Sequence, residues 1–149
     1  MKLKDYLDLI RPTGWYLTII SVVIGALLAS QEINLYFIYN TIFIVIIIGP
    51  LLYGGLYTLN SIYDFDYDKN HPIKKELPLA SGIVTKKEAW VIVIIHILAT
   101  LFLITIFYPF LLSIVILMIL LQIIYCCPPF RAKERSFGII FSGPPKSCS

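Results

Sequence analysis

An all-α fold, a polytopic membrane helical bundle of about four transmembrane helices, is what this sequence predicts, and three observations predict it. Of 149 residues, 58% are hydrophobic and 14% are charged, whereas an ordinary soluble domain devotes about a quarter of its residues to charge. The mean hydropathy is +0.85. Three long runs, Pro12 to Gln31, Ile33 to Tyr63 and Ala89 to Phe130, contain no Lys, Arg, Asp or Glu. A span needs about 20 apolar residues, so the first two runs supply one helix each and the third, interrupted by Pro109, supplies two. The spans fall near residues 12–31, 35–59, 89–108 and 110–127 of a single membrane domain, 1–149, with the lipid bilayer as its surroundings.

Orientation follows from the positive charge. All 12 Lys and Arg residues lie before the first span, between the second and third, or after the fourth. The positive-inside rule assigns those segments to the cytoplasm, so the N-terminus and the 60–88 connection face inward in an integral protein of the cell or inner membrane. The net charge of +3 suits an anionic leaflet or an anionic substrate and gives no reason to invoke nucleic acid. Ala29-Ser30 is followed by further membrane sequence, which is unlike a signal-peptide cleavage site.

In chain order, Met1 to Ile10 places Lys2, Lys4, Asp5 and Asp8 among apolar residues at helical spacing, the pattern of an interfacial helix. Arg11-Pro12 turns the chain inward, and Trp15 and Tyr16 suit headgroup depth. In the second span, Gly49, Pro50, Gly54 and Gly55 permit a local break or close helix contact. Tyr53 and Tyr57, with Tyr125 at the end of the fourth span, are candidates to line a cavity; ordinary helix packing explains the same residues. Thr85 and Glu88 have capping-box spacing for the third span. His96, alone in that span, is expected to hydrogen-bond a neighbouring helix. Cys126, Cys127 and Cys148 lack the spacing of a zinc or redox site.

The chemistry gathers between Asn60 and Gly82. Asn60, Asp64 and Asp68 recur every four residues, a spacing that drifts only about 40° per step and keeps all three on one helical face, while Asp66 points elsewhere. Two carboxylates one turn apart repel each other mildly. A hard divalent cation between them offsets this and keeps waters or phosphates as its remaining ligands. Asp64 and Asp68 are therefore the candidate metal ligands and, with Asn60, the candidate catalytic group. Lys74 and Lys75 just after them, and Arg131 and Lys133 after the fourth span, are candidates to hold a diphosphate. The alternative is an acidic turn that only solvates a helix end in a small non-enzymatic membrane protein, a scaffold or transporter-like half, with the lysines serving orientation alone.

Four pieces in order, Arg11-Pro12, N-x3-D-x3-D at Asn60, Asp64 and Asp68, P-L-A-S-G at Pro78 to Gly82, and Y-C-C-P-P-F-R-A-K at Tyr125 to Lys133, resemble the UbiA family of intramembrane prenyltransferases. The resemblance implies a Mg2+-dependent site that transfers a polyprenyl group from a polyprenyl diphosphate to a hydrophobic acceptor, aromatic or lipid alcohol. It makes Asn60, Asp64 and Asp68 the first aspartate-rich motif and Arg131 and Lys133 the basic pair closing the first half. Leu77 stands where the family carries Arg, an anion contact that is missing here or supplied by Lys74 or Lys75. The family fold has about nine spans in two halves, with a second aspartate motif in the later one. The chain is accordingly expected to be an amino-terminal half, 128–149 being a basic segment and the start of a further helix, completed by a missing carboxy-terminal half or by a homodimer.

Overall fold

The computed structural model describes residues 2–30 and 32–127, and these are helical with short connections; no strand occurs among them. The described residues divide into two compact units, one within 1–112 and one within 113–149. In the first unit, α1 (Leu3–Ile10) begins where the Lys2 amide donates to the Asp5 carboxylate at 2.7 Å. It ends at Arg11, whose φ of 49° is left-handed, a conformation that costs a residue with a Cβ roughly 1–2 kcal/mol. A short 3-10 turn, Pro12–Gly14, leads to α2 (Tyr16–Ala29), and the segments Leu3–Gly14 and Tyr16–Ala29 meet at 55°.

The first expected span, 12–31, is therefore broken near its start. Pro12 has no N–H, and α2 with 14 residues is about 21 Å long, less than the roughly 30 Å of a hydrocarbon core. Leu3–Gly14 and Tyr16–Ala29 together reach spanning length as one bent pair. The next helix is longer than expected. α3 (Leu35–Ile46), capped by Asn34, continues through a π-helical segment, Ile47–Tyr53, into α4 (Gly54–Tyr63). Pro50 sits inside the π segment, where the wider turn accommodates its ring and its missing donor. The continuous run Leu35–Tyr63 has 29 residues, about 43 Å, so it outreaches the hydrocarbon core and carries Asn60 to its surface.

α5 (Phe65–Asn70) follows directly, then a connection with a 3-10 turn at Lys74–Glu76. α6 (Lys86–Phe107) starts at the Thr85–Glu88 capping box, in which Thr85 Oγ1 accepts from the Glu88 amide at 3.2 Å and the Glu88 carboxylate accepts from the Thr85 amide at 2.8 Å. Pro109–Leu111 turns the chain into α7 (Leu112–Cys126), which supplies the apolar helix of the second unit. Among the described residues three helices, Leu35–Tyr63, Lys86–Phe107 and Pro109–Cys126, are each long and apolar enough to cross a membrane.

α4 is the hub of the first unit, packing on both α1 and α6. Two adjacent glycines make that possible: a Cβ on Gly55 would lie 2.8 Å from His96 Cβ, and one on Gly54 would lie 3.3 Å from Ile10 Cβ. α6 turns Ala89, Val93, His96 and Thr100 inward and leaves Ile94, Leu98 and Phe102 exposed. Polar groups inside and large apolar groups outside are the arrangement a helix needs in lipid.

Gly55→Ala forces the α4–α6 contact apart and is expected to destabilise the protein by about 1–3 kcal/mol. Gly25→Ala meets nothing within 4 Å and is expected to be neutral or slightly stabilising. Thermal unfolding of the purified protein in detergent micelles separates the two.

Candidate functional site

The three motif residues lie across the α4–α5 junction. Asp64 departs from helical geometry (ψ 1°), yet its amide still donates to the Asn60 carbonyl at 2.9 Å, and the Asp68 amide donates to the Asp64 carbonyl at 2.8 Å. Helical register thus survives the junction. The Asn60 side-chain amide donates to Asp64 Oδ2 at 3.1 Å, which fixes the direction of that carboxylate. Asp64 is half-buried, Asp66 is exposed, and Asp68 is 3% exposed.

Asp68 is the centre of the site. One carboxylate oxygen, Oδ1, faces Lys74 Nζ at 3.5 Å; the other, Oδ2, faces Arg11 Nη2 at 3.9 Å. Burying an unpaired carboxylate is costly, and two cations from distant parts of the chain on opposite oxygens offset that cost. Oδ1 nevertheless accepts no hydrogen bond. It is a buried acceptor, held near positive charge, with unused lone-pair capacity.

Local chemistry aims Lys74. The backbone amides of Ile73 and Lys74 both donate to His71 Nδ1, at 3.3 Å each, which tightens the turn after α5. Lys74 Nζ also lies 5.5 Å from the centre of the Tyr67 ring, within cation–π range. Beyond the turn, Leu77 to Ala80 close over the carboxylate, and with Asp8, Leu9, Arg11, Ser61, Phe65 and Asp68 they line a pocket of about 10 Å³. That is room for about one water.

Arg11 is held as firmly. Trp15 Nε1 donates to the Ile10 carbonyl and the Tyr57 hydroxyl donates to the Gly14 carbonyl, both at 3.1 Å, so the turn is pinned on each side of the bend. Gly14 is required here, because a Cβ would lie 2.7 Å from the Tyr57 ring.

Of the residues singled out in the sequence, the structure brings Asn60 to Asp64 and Lys74 to Asp68. Lys75 is exposed. Tyr53 and Tyr57 are half-buried neighbours with ring centres 6.0 Å apart, and Tyr57 serves the Arg11 turn as well as any cavity. Tyr125 is exposed near the end of α7. Arg131 and Lys133 lie outside the described residues. Sequence reasoning missed Arg11 as a partner of Asp68 and His71 as the organiser of the Lys74 turn. The Arg-Pro step marked the turn, but nothing local to it pointed to a carboxylate 57 positions away.

Among the described residues no three His, Cys, Asp or Glu side chains gather as a metal cluster, so an all-protein cage does not fit. The unused buried Oδ1 of Asp68 has the chemistry of a ligand to an ion that keeps most of its ligands from water or phosphate.

The sequence profile of the UbiA prenyltransferase family matches residues 18–145. The chain is 33% identical over 125 residues to a protein of Oryza sativa subsp. japonica named "Probable homogentisate phytyltransferase 2, chloroplastic"; the match covers 81% of this chain and 32% of that protein. The chain thus spans about a third of the length of the curated relative it matches. No solved structure matches it.

Arg11→Ala keeps the left-handed backbone strain and strips one countercharge from buried Asp68. It is expected to lower stability by about 1–3 kcal/mol, and the added Asp68→Asn is expected to recover part of that loss, because an amide no longer needs the countercharge. A double-mutant cycle by thermal unfolding in micelles checks it.

Proposed function

The chain belongs to the UbiA prenyltransferase family, and from that premise we propose that its Asn60–Asp68 segment anchors the diphosphate of a polyprenyl donor, with Mg2+, at the cytoplasmic surface of the membrane. The observation that carries this reading is Asp68: buried, faced by Lys74 and Arg11 on its two oxygens, with Oδ1 accepting no hydrogen bond. A carboxylate needed only to solvate a helix end would lie in water.

Asp64 and Asp68 would hold the ion, with Asn60 fixing the orientation of Asp64 through its side-chain amide. When bound, Mg2+ supplies neutralising charge to the leaving diphosphate. Lys74 and Arg11 sit within 4 Å of Asp68 and would turn to the diphosphate oxygens as it enters, joined by Lys75. Positive charge fixed there favours breaking the allylic C–O bond, because it stabilises the negative charge that develops on the departing oxygen. The aromatic faces of Tyr53 and Tyr57, neighbours with ring centres 6.0 Å apart, suit the apolar donor and its developing allylic cation. An aromatic ring is the acceptor class we favour, following the homogentisate in the relative's name. In such a transfer the ring carbon bonds to the allylic carbon as the diphosphate leaves, and the ring proton is lost to restore aromaticity.

Binding of inorganic pyrophosphate in the presence of Mg2+, measured by calorimetry on the full chain in nanodiscs, tests the anchor. Asp64→Asn and Asp68→Asn are each expected to weaken it at least about tenfold, and Asp66→Asn by less than about twofold. Equal tolerance of all three substitutions would overturn the reading in favour of a non-enzymatic membrane protein.

A further inference from the structure

α1 has eight residues, too few to be stable alone, so the position of Arg11 at its end depends on what holds the helix down. Leu9 and Ile10 are buried against the bundle, and one polar contact joins α1 to α6: the Tyr6 hydroxyl lies 2.8 Å from His96 Nε2. The other ring nitrogen, Nδ1, lies 2.8 Å from the Ile92 carbonyl oxygen. A carbonyl only accepts, so Nδ1 carries a hydrogen. In the neutral ring Nε2 is then an acceptor and the Tyr6 hydroxyl donates to it. His96 itself has little freedom, being 5% exposed and pressed against Gly55. It is a rigid acceptor deep in the bundle, and Tyr6 precedes Arg11 by five residues, less than one and a half turns.

We propose that Tyr6 and His96 are positioning residues: their hydrogen bond latches α1 onto α6 and thereby holds the Arg11 guanidinium at Asp68. The inference rests on the diphosphate-site reading above. Arg11 has opposite effects on the two ligands. Its charge repels a cation approaching Asp68 and attracts an anion arriving beside it. Releasing the latch therefore strengthens cation binding by itself and weakens binding of the cation together with an anion. A purely structural role for the pair would weaken both.

The test uses Mn2+ as the cation probe, followed by electron paramagnetic resonance, and inorganic pyrophosphate as the anion, on the full chain in nanodiscs. In Tyr6→Phe, Mn2+ alone is expected to bind about two- to fivefold more tightly, and Mn2+-dependent pyrophosphate binding to weaken about three- to tenfold, the order of effect that one hydrogen bond supplies. Tyr6→Phe with His96→Leu removes both partners, leaves no buried acceptor unpaired, and is expected to show the same split. Arg11→Ala is expected to show it too, with Tyr6→Phe adding nothing further on that background. If the wild-type chain binds both probes and the Tyr6 variants change neither affinity, or weaken both, the latch is overturned and the site reading stands. If the wild-type chain binds neither probe, both are overturned.

Discussion

A buried carboxylate has to be answered by positive charge, and the first unit of this protein is arranged around that requirement at Asp68. The effective penalty for taking such a group out of water is several kcal/mol, more than any local contact in α5 supplies. The chain meets it from two directions. Lys74 comes from the turn that His71 organises, and Arg11 comes from the end of α1, 57 positions earlier. The left-handed backbone at Arg11, itself unfavourable, persists because Trp15, Tyr57 and the buried Leu9 and Ile10 fix the chain on either side of it.

The same economy of contact explains why α4 is the hub. Without a hydrophobic force between helices in lipid, close approach and hydrogen bonds must join them. Gly54 and Gly55 let Ile10 and His96 approach the α4 backbone directly. Thr58 and Thr100 are fully buried and return their hydroxyls to carbonyls one turn earlier in their own helices, Gly54 and His96. These two hydroxyls are thus satisfied within the bundle, and the exposed faces of α2, α3 and α6 are left to large apolar side chains.

Much of this was legible in the sequence because it depends on local rules. Uncharged runs gave the helices, Thr85 with Glu88 gave the start of α6, and Pro109 gave the turn before α7. The fold class and the family were readable from the same runs and motifs. What was not readable depends on distance. Pro50 permits either a kink or an uninterrupted helix, and only packing selects the π segment. The break at Arg11 shortens α2, which composition alone cannot register because Pro12 to Gln31 is uncharged throughout. The partner of His96 was foreseen in kind, a group on a neighbouring helix. That it would be Tyr6, in a segment whose pattern reads as an interfacial anchor, required the fold.

The charge balance at the site also indicates what it would bind first. Asp68 stands with two bases, Arg11 and Lys74, and on the proposed reading Asp64 adds a second acid, so that the four groups would be formally neutral together. A divalent cation arriving alone gains the carboxylates but meets the bases; a diphosphate arriving alone meets the reverse. Brought in together, each ligand neutralises what opposes the other, and the bases are freed from Asp68 to reach phosphate oxygens. On the proposed reading the site therefore has little affinity for either component and much more for the pair, a positive coupling that is reciprocal by thermodynamic necessity. Placing the bases against the acid before substrate arrives also means that the cations need only a short displacement to engage the leaving group, which is the preorganisation that electrostatic catalysis depends on.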